Sequence, residues 1–134
     1  VKLLLTEEEN FGIKNYELYK NFAKKIYKIR DNVRKNIIEL KKNNTKIIGY
    51  GSPAKATTSL NFFGISDEID FIVEDNKLKH GKFLPAMNIP IVSKEQIKEK
   101  PDYAVVLAWN FLEEIKKKNG DLAHKFISIK DLEN

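Results

Sequence analysis

The stretch that decides the fold is Lys46-Ile47-Ile48-Gly49-Tyr50-Gly51-Ser52-Pro53-Ala54-Lys55. Its first half, Lys46–Tyr50, is a short apolar run of the kind that forms a buried strand. Its second half turns at Gly51. Pro53 at a first helical position then opens a helix that runs to about Phe62, and Gly64 closes it. Formally the turn reads G-x-G-x-x-A over Gly49, Gly51 and Ala54, after a strand and opening a helix, the context a phosphate-binding turn requires. Glycine lets the backbone approach a phosphate without a Cβ clash, and the helix start offers free N–H groups and a positive dipole end. Ser52 and Pro53 complete the turn, and Lys55 adds a full charge. A tight turn that binds nothing has the same composition.

Downstream, strands and helices alternate. Ile69–Val73 reads as a strand, Glu74 to Asn88 as a polar loop, and Ile89–Val92 as a short strand. Ser93 with Gln96 forms a capping box for a brief helix. Tyr103–Leu107 is a continuous apolar strand, Phe111–Lys118 a helix ending near Gly120, and Lys125–Ile129 a last strand. This pattern predicts an α/β, Rossmann-like three-layer fold with a mostly parallel five-stranded sheet in the order 3-2-1-4-5. In that order Lys46–Tyr50 neighbours Tyr103–Leu107 and the chain reverses direction between them. Ligands in such sheets bind at the carboxyl ends of the strands beside that reversal. Two loops are therefore singled out, Gly49–Lys55 and Ala108–Glu113.

Glu74 and Asp75 follow the second strand, where an acid grips ribose hydroxyls in a dinucleotide site. Acids followed by Asn76 are also ordinary turn chemistry. Trp109, the sole tryptophan, stands at the mouth of the predicted cleft, where it would stack on a base or sugar beside Asn110. A tryptophan packing the top of the sheet is the alternative. His80, beside Lys79 and Lys82, reads as solvent-facing, and His124 as structural. No Ser–His–Asp arrangement, paired carboxylates or metal cluster emerges, so the residues support binding rather than catalysis.

Upstream, apolar residues recur at Tyr19, Phe22, Ile26, Ile29, Val33, Ile37 and Leu40 in steps of three and four. They mark one amphipathic helix from about Tyr16 to Lys42, ended by Asn43-Asn44, and roughly 40 Å long at about 1.5 Å per residue. That exceeds what one small sheet needs, so residues 1–44 read as a lead helix joined to sequence upstream, and 45–134 as the α/β core of a single domain. Val1–Leu5 reads as a strand or the tail of an upstream element, and Thr6-Glu7-Glu8-Glu9 as a helix start. A first residue of Val1 points to a piece of a longer chain or a processed one.

With 134 residues, 42% hydrophobic and 32% charged, the chain has the composition of a soluble domain able to build its own core. It contains no cysteine, which excludes disulfides, thiolate metal sites and a cysteine nucleophile. No apolar run approaches the roughly 20 residues that span a bilayer, and no signal peptide is visible, so no membrane partner and a cytoplasmic location are expected. The net charge of +5 is spread over helix faces such as Lys24-Lys25, Lys41-Lys42 and Lys116-Lys117-Lys118. A nucleic-acid binder gathers its charge in a stripe with interleaved aromatics, so a small anionic ligand is the better expectation.

Several segments together resemble the C-terminal domain of sugar C-methyltransferases. They are Ile48-Gly49-Tyr50-Gly51-Ser52-Pro53-Ala54-Lys55-Ala56-Thr57-Thr58 and Leu60-Asn61-Phe62-Phe63-Gly64-Ile65. In the same order follow Ile72-Val73-Glu74-Asp75-Asn76, the loop Lys79-His80-Gly81-Lys82-Phe83-Leu84-Pro85, the short run Ile89-Pro90-Ile91, and Pro101-Asp102-Tyr103 through Trp109-Asn110 to Glu114-Ile115. Ala86 and Asn88 depart from the glycine and histidine expected after Leu84-Pro85. The resemblance implies an enzyme that methylates a keto sugar carried on a nucleoside diphosphate, with adenosylmethionine as methyl donor. It also implies that the zinc-binding region, the adenosylmethionine domain and the catalytic His/Glu cluster lie upstream, so no catalytic residue and no cofactor are expected in this chain. The expected role is one wall of the sugar-nucleotide site, with Gly51–Lys55 against the diphosphate, Trp109 and Asn110 lining the cleft, and the upstream domains as partners. Two other readings stand beside it: a nicotinamide-dinucleotide domain of an oxidoreductase, favoured by the glycine turn and Glu74, and a scaffold that binds nothing.

Overall fold

Residues 1–134 are described by a computed structural model. Helices α1 (Lys2–Phe11) and α2 (Tyr16–Lys41) lead into β1 (Ile47–Tyr50) and α3 (Ala54–Phe63). Then come β2 (Ile72–Val73), β3 (Ile91–Val92), β4 (Tyr103–Val106), α4 (Leu112–Asn119) and β5 (Lys125–Ile127). The strands lie in the order β3-β2-β1-β4-β5 and every pair is parallel, the expected sheet.

Strand alternation sorts the core into two halves. Ile47, Ile72, Val105 and Ile127 face Val33 and Ile37 of α2 and Ala56 and Leu60 of α3. Ile48, Tyr50, Val73, Ala104 and Val106 face the other way, toward Leu112 and Ile115 of α4. All four residues of β1 are buried, as a central strand of a covered parallel sheet must be. Gly49 owes its identity to this packing: a Cβ there would lie 2.3 Å from Ile72 Cδ1 and 3.1 Å from Leu107 Cδ1.

The elements differ from the sequence reading in detail. Val1–Leu5 forms no strand. Lys2 to Phe11 is one helix, because Leu, Lys and Glu are strong helix formers and no neighbouring strand is there to pair with. Thr6–Glu9 is therefore helix interior, and Gly12 closes α1 in the left-handed conformation. Pro53 is the residue before α3 rather than its first residue, with an extended ψ of 161°. Lys94–Gln96 is a single 3-10 turn, although its capping box with Ser93 is formed. The chain leaves β5 at Ile127 and coils into a 3-10 turn over Ile129–Leu132, which buries Ile129 and Leu132.

Helix α2 divides into two parts. Lys41 pairs with Asp70 at 2.6 Å, just before β2, while the Asn32 side chain donates to the carbonyl of Glu133, past the end of β5. Between these anchors Val33 and Ile37 are fully buried. Toward its N-terminus the same apolar stripe continues, but Phe22 is 62% exposed and α1 buries nothing. Asn43 and Asn44, both at positive φ, end the helical run as their sequence suggests. No helix is long and apolar enough to cross a membrane.

Candidate functional site

The turn after β1 lies where the strand order reverses. Gly51 has a φ of 83°, and its N–H donates to the Val73 carbonyl at 2.8 Å. A Cβ on Gly51 would sit 3.2 Å from Ala108 Cβ, at the end of β4. The left-handed backbone and this close approach both require glycine there. Ser52 is buried, and its N–H donates to Glu74 Oε2 at 2.9 Å. The Ser52 hydroxyl donates to the same oxygen. Lys79 Nζ reaches the Ser52 carbonyl at 2.9 Å and Glu74 Oε2 at 3.3 Å, and Asn76 N–H donates to Glu74 Oε1 at 3.1 Å. His80, half-buried rather than solvent-facing, places Nε2 2.7 Å from the Glu74 carbonyl oxygen. Burial alone would raise the Glu74 pKa, but the Ser52 hydroxyl, the Asn76 and Ser52 N–H groups and Lys79 outweigh it and hold the carboxyl at about 2.

This latch changes the reading of the glycine turn. The N–H groups of Gly51 and Ser52 are taken by protein acceptors, and Pro53 has none. The donors left for an anion are those in the first turn of α3, at Ala54 and Lys55, which have no intrahelical partner. Lys55 Nζ stands 4.0 Å from the centre of the Trp109 ring, a cation–π contact.

On the α4 side, the Tyr50 hydroxyl donates to Asp75 Oδ1 at 2.9 Å and accepts from the buried Asn119 amide at 2.8 Å. Burial, then the Asp75 bond, pushes the Tyr50 pKa upward. Lys118 pairs with the other Asp75 oxygen at 3.3 Å. These groups, with Gly51, Glu74, Ala108, Phe111, Glu114 and Ile115, line a cleft of about 240 Å³.

The structure thus brings Gly51, Glu74 and Asp75 together and sends Trp109 and Asn110 elsewhere. Trp109 was expected to line the same cleft as Gly51. Its ring instead borders a separate 300 Å³ hollow with Ser59, Phe63 and Ile129. Asn110 borders a third, with Glu113, Ser128 and Lys130. The physical reason is the 3-10 turn over Trp109–Phe111, which fans successive side chains outward so that Ala108 and Phe111, not Trp109, meet the cleft. Tyr50 stands inside the loop Gly49–Lys55 and Glu114 just past the loop Ala108–Glu113, whereas sequence reasoning gave no site role to Lys79, Lys118 and Asn119. The available signal was the four-residue spacing of Glu114 and Lys118 on one face of α4.

No group of three or more His, Asp or Glu side chains is placed to hold a metal ion. The fold and this mouth define a doubly wound α/β domain with a cleft at the strand-order reversal. Residues 1–128 match the family described as the C-methyltransferase C-terminal domain, and the chain belongs to that family. It is 36% identical over 114 residues to the C-methyltransferase NovU of Streptomyces niveus, across 84% of this chain and 27% of that enzyme. The chain therefore spans about a quarter of the length of that relative. Methyltransferase membership implies adenosylmethionine as cofactor. The residues here do not fit it: Ala108 and Val73 close the glycine turn, and Glu74, which would take the ribose, is held by Ser52 and Lys79.

Proposed function

We propose that this domain supplies one wall of the nucleoside-diphosphate-sugar site of an adenosylmethionine-dependent sugar C-methyltransferase and transfers no methyl group by itself. The observation that carries the reading is the pairing of Lys55 and Trp109 at the start of α3, beside the strand-order reversal. Lys55 adds an ammonium to a helix start whose Ala54 and Lys55 N–H groups have no intrahelical partner, a combination that suits a diphosphate. The nicotinamide reading keeps no observation of its own, because packing against Ile72, Leu107 and Ala108 accounts for both glycines. The exposure of the apolar stripe toward the start of α2 supports reading residues 1–44 as a link that the methyl-transferring domains, as partners in the same polypeptide, would cover.

The test is a parallel titration of the 134-residue chain with UDP, dTDP, NAD and adenosylmethionine, followed by calorimetry and Trp109 emission. UDP or dTDP should bind saturably and change the emission as Lys55 leaves the ring, while NAD and adenosylmethionine should not bind. Lys55→Ala should weaken nucleotide binding by about 1.5–3 kcal/mol, roughly tenfold or more, without lowering the melting temperature. Saturable one-to-one adenosylmethionine binding, or an unchanged affinity in Lys55→Ala, overturns the reading.

A further inference from the structure

We infer that the cleft between Gly51 and α4 is a hydroxyl-reading subsite that takes one sugar ring and turns the diphosphate away. The inference rests on the proposed nucleotide-sugar function and divides its site in two. Size comes first. At about 240 Å³ the cleft is smaller than the roughly 300–1,000 Å³ that holds a drug-sized ligand, so it admits a ring and not a whole nucleoside diphosphate sugar.

Charge decides which ring. Glu74, Asp75 and Glu114 line the cleft; Ser52 and Lys79 already hold Glu74 and Lys118 pairs with Asp75, so Glu114 is the one lining carboxylate with no ion-pair partner. A phosphate entering there would meet the unpaired Glu114 beside two ion-paired carboxylates, with no free cation on the cleft wall. A carboxylate accepts only, so its ligand must bring donors. A pyranose or a ribose offers adjacent hydroxyls, each able to donate; a uracil or thymine edge offers a single N–H flanked by two carbonyl oxygens, which the acids would repel.

The acceptors are held in place. The buried Asn119 amide and Tyr50 hydroxyl hold the exposed Asp75 in place through a chain of two hydrogen bonds, and each Asp75 oxygen retains a free lone pair beyond its one protein partner. Glu114, exposed on the first turn of α4, is engaged by no other side chain. Ala108, Phe111 and Ile115 add an apolar wall for the C–H face of a sugar. The diphosphate then lies outside the cleft, at Ala54 and Lys55, with the sugar folded inward past Gly51.

The probes are UDP, UDP-glucose and methyl glucopyranoside, each titrated into the labelled chain and into Glu114→Ala. That substitution removes an exposed, unpaired carboxylate and leaves the fold intact. Methyl glucopyranoside at high concentration should shift the backbone amides of Phe111–Asn119 and of Asp75. Glu114→Ala should lower the affinity for UDP-glucose by about tenfold, the worth of a charge-assisted hydrogen bond, and leave UDP unchanged. Equal weakening of UDP and UDP-glucose supports the subsite and assigns the ring to ribose. Cleft amides that ignore the glucoside, with UDP either unbound or bound equally well by Glu114→Ala, overturn the inference. So does a Glu114→Ala variant that binds UDP more tightly, because the carboxylate then only repels phosphate. A chain that ignores UDP yet shows the glucoside shifts keeps the subsite and loses the nucleotide reading.

Discussion

At Ser52, one hydroxyl and its own backbone N–H converge on a single oxygen of Glu74, and Lys79 joins them from the β2 loop. Glu74 is only 13% exposed, so its carboxylate contributes to stability as well as to geometry. Its pKa is lowered from 4.5 to about 2, so that contribution is fully present above pH 4.5 and is lost as the pH falls toward 2. The shift corresponds to about 3 kcal/mol. Glu74→Gln should therefore be less stable than the wild type at pH 7 by a similar amount, with the gap closing between pH 4.5 and 2. Urea denaturation across that range measures it, and parallel stability curves would count against the latch. A second residue stores strain. Leu84-Pro85-Ala86-Met87 is a turn closed by Met87 N–H donating to the Leu84 carbonyl at 3.1 Å, and Ala86 at its third position has a φ of 59°. That is glycine's place in such a turn. Ala86→Gly should raise stability by about 0.5–1 kcal/mol, the relieved left-handed strain less the added freedom of the unfolded chain; a lower melting temperature contradicts it. The glycine expected at this position came from the family resemblance, while Gly49 and Gly51 were plain in the sequence. What those two glycines do was not, because a G-x-G-x-x-A string is written the same way whether a phosphate or the side chain of Ile72 or Ala108 lies against it.

Among the elements, α2 shows how periodicity can be right about a helix and silent about its neighbours. The stripe from Tyr19 to Leu40 is continuous in sequence, yet only Val33 and Ile37 on it are fully buried. The two halves should respond differently to truncation. Ile37→Ala, at 0% exposure, should cost about 2–5 kcal/mol, whereas Phe22→Ala in the same chain should change stability by less than about 0.5 kcal/mol. Chemical denaturation of the two variants decides it; a large loss from Phe22→Ala would mean that the stripe is already covered in the isolated chain. The sheet was legible because Ile47–Tyr50 and Tyr103–Val106 are apolar throughout and the crossover rule leaves few orders for five strands. Strands β2 and β3 proved shorter than their apolar runs, since each has only two residues in register with its neighbours. The placement of Trp109 was not legible: a 3-10 turn of three residues carries no periodic signal, and it alone decides that Ala108 and Phe111 enter the cleft.

For the molecule as a whole, the domain presents two unlike faces at one end of its sheet. The start of α3 offers N–H donors and Lys55, and the α4 side offers Asp75 and Glu114 in a cleft that Tyr50 and Asn119 also line. Family membership sets this chain among C-methyltransferase C-terminal domains, and the length of the Streptomyces relative leaves about three-quarters of that enzyme outside what this chain matches. The account therefore stands on whether this end of the sheet receives a nucleotide on its α3 side. The most direct measurement is a backbone amide shift map of the chain titrated with UDP. The account predicts saturable shifts centred on Ala54 and Lys55 and a linked change at Trp109. Shifts centred on the Gly51 and Ser52 amides with Lys55 unmoved, or no shifts at any UDP concentration, would contradict it.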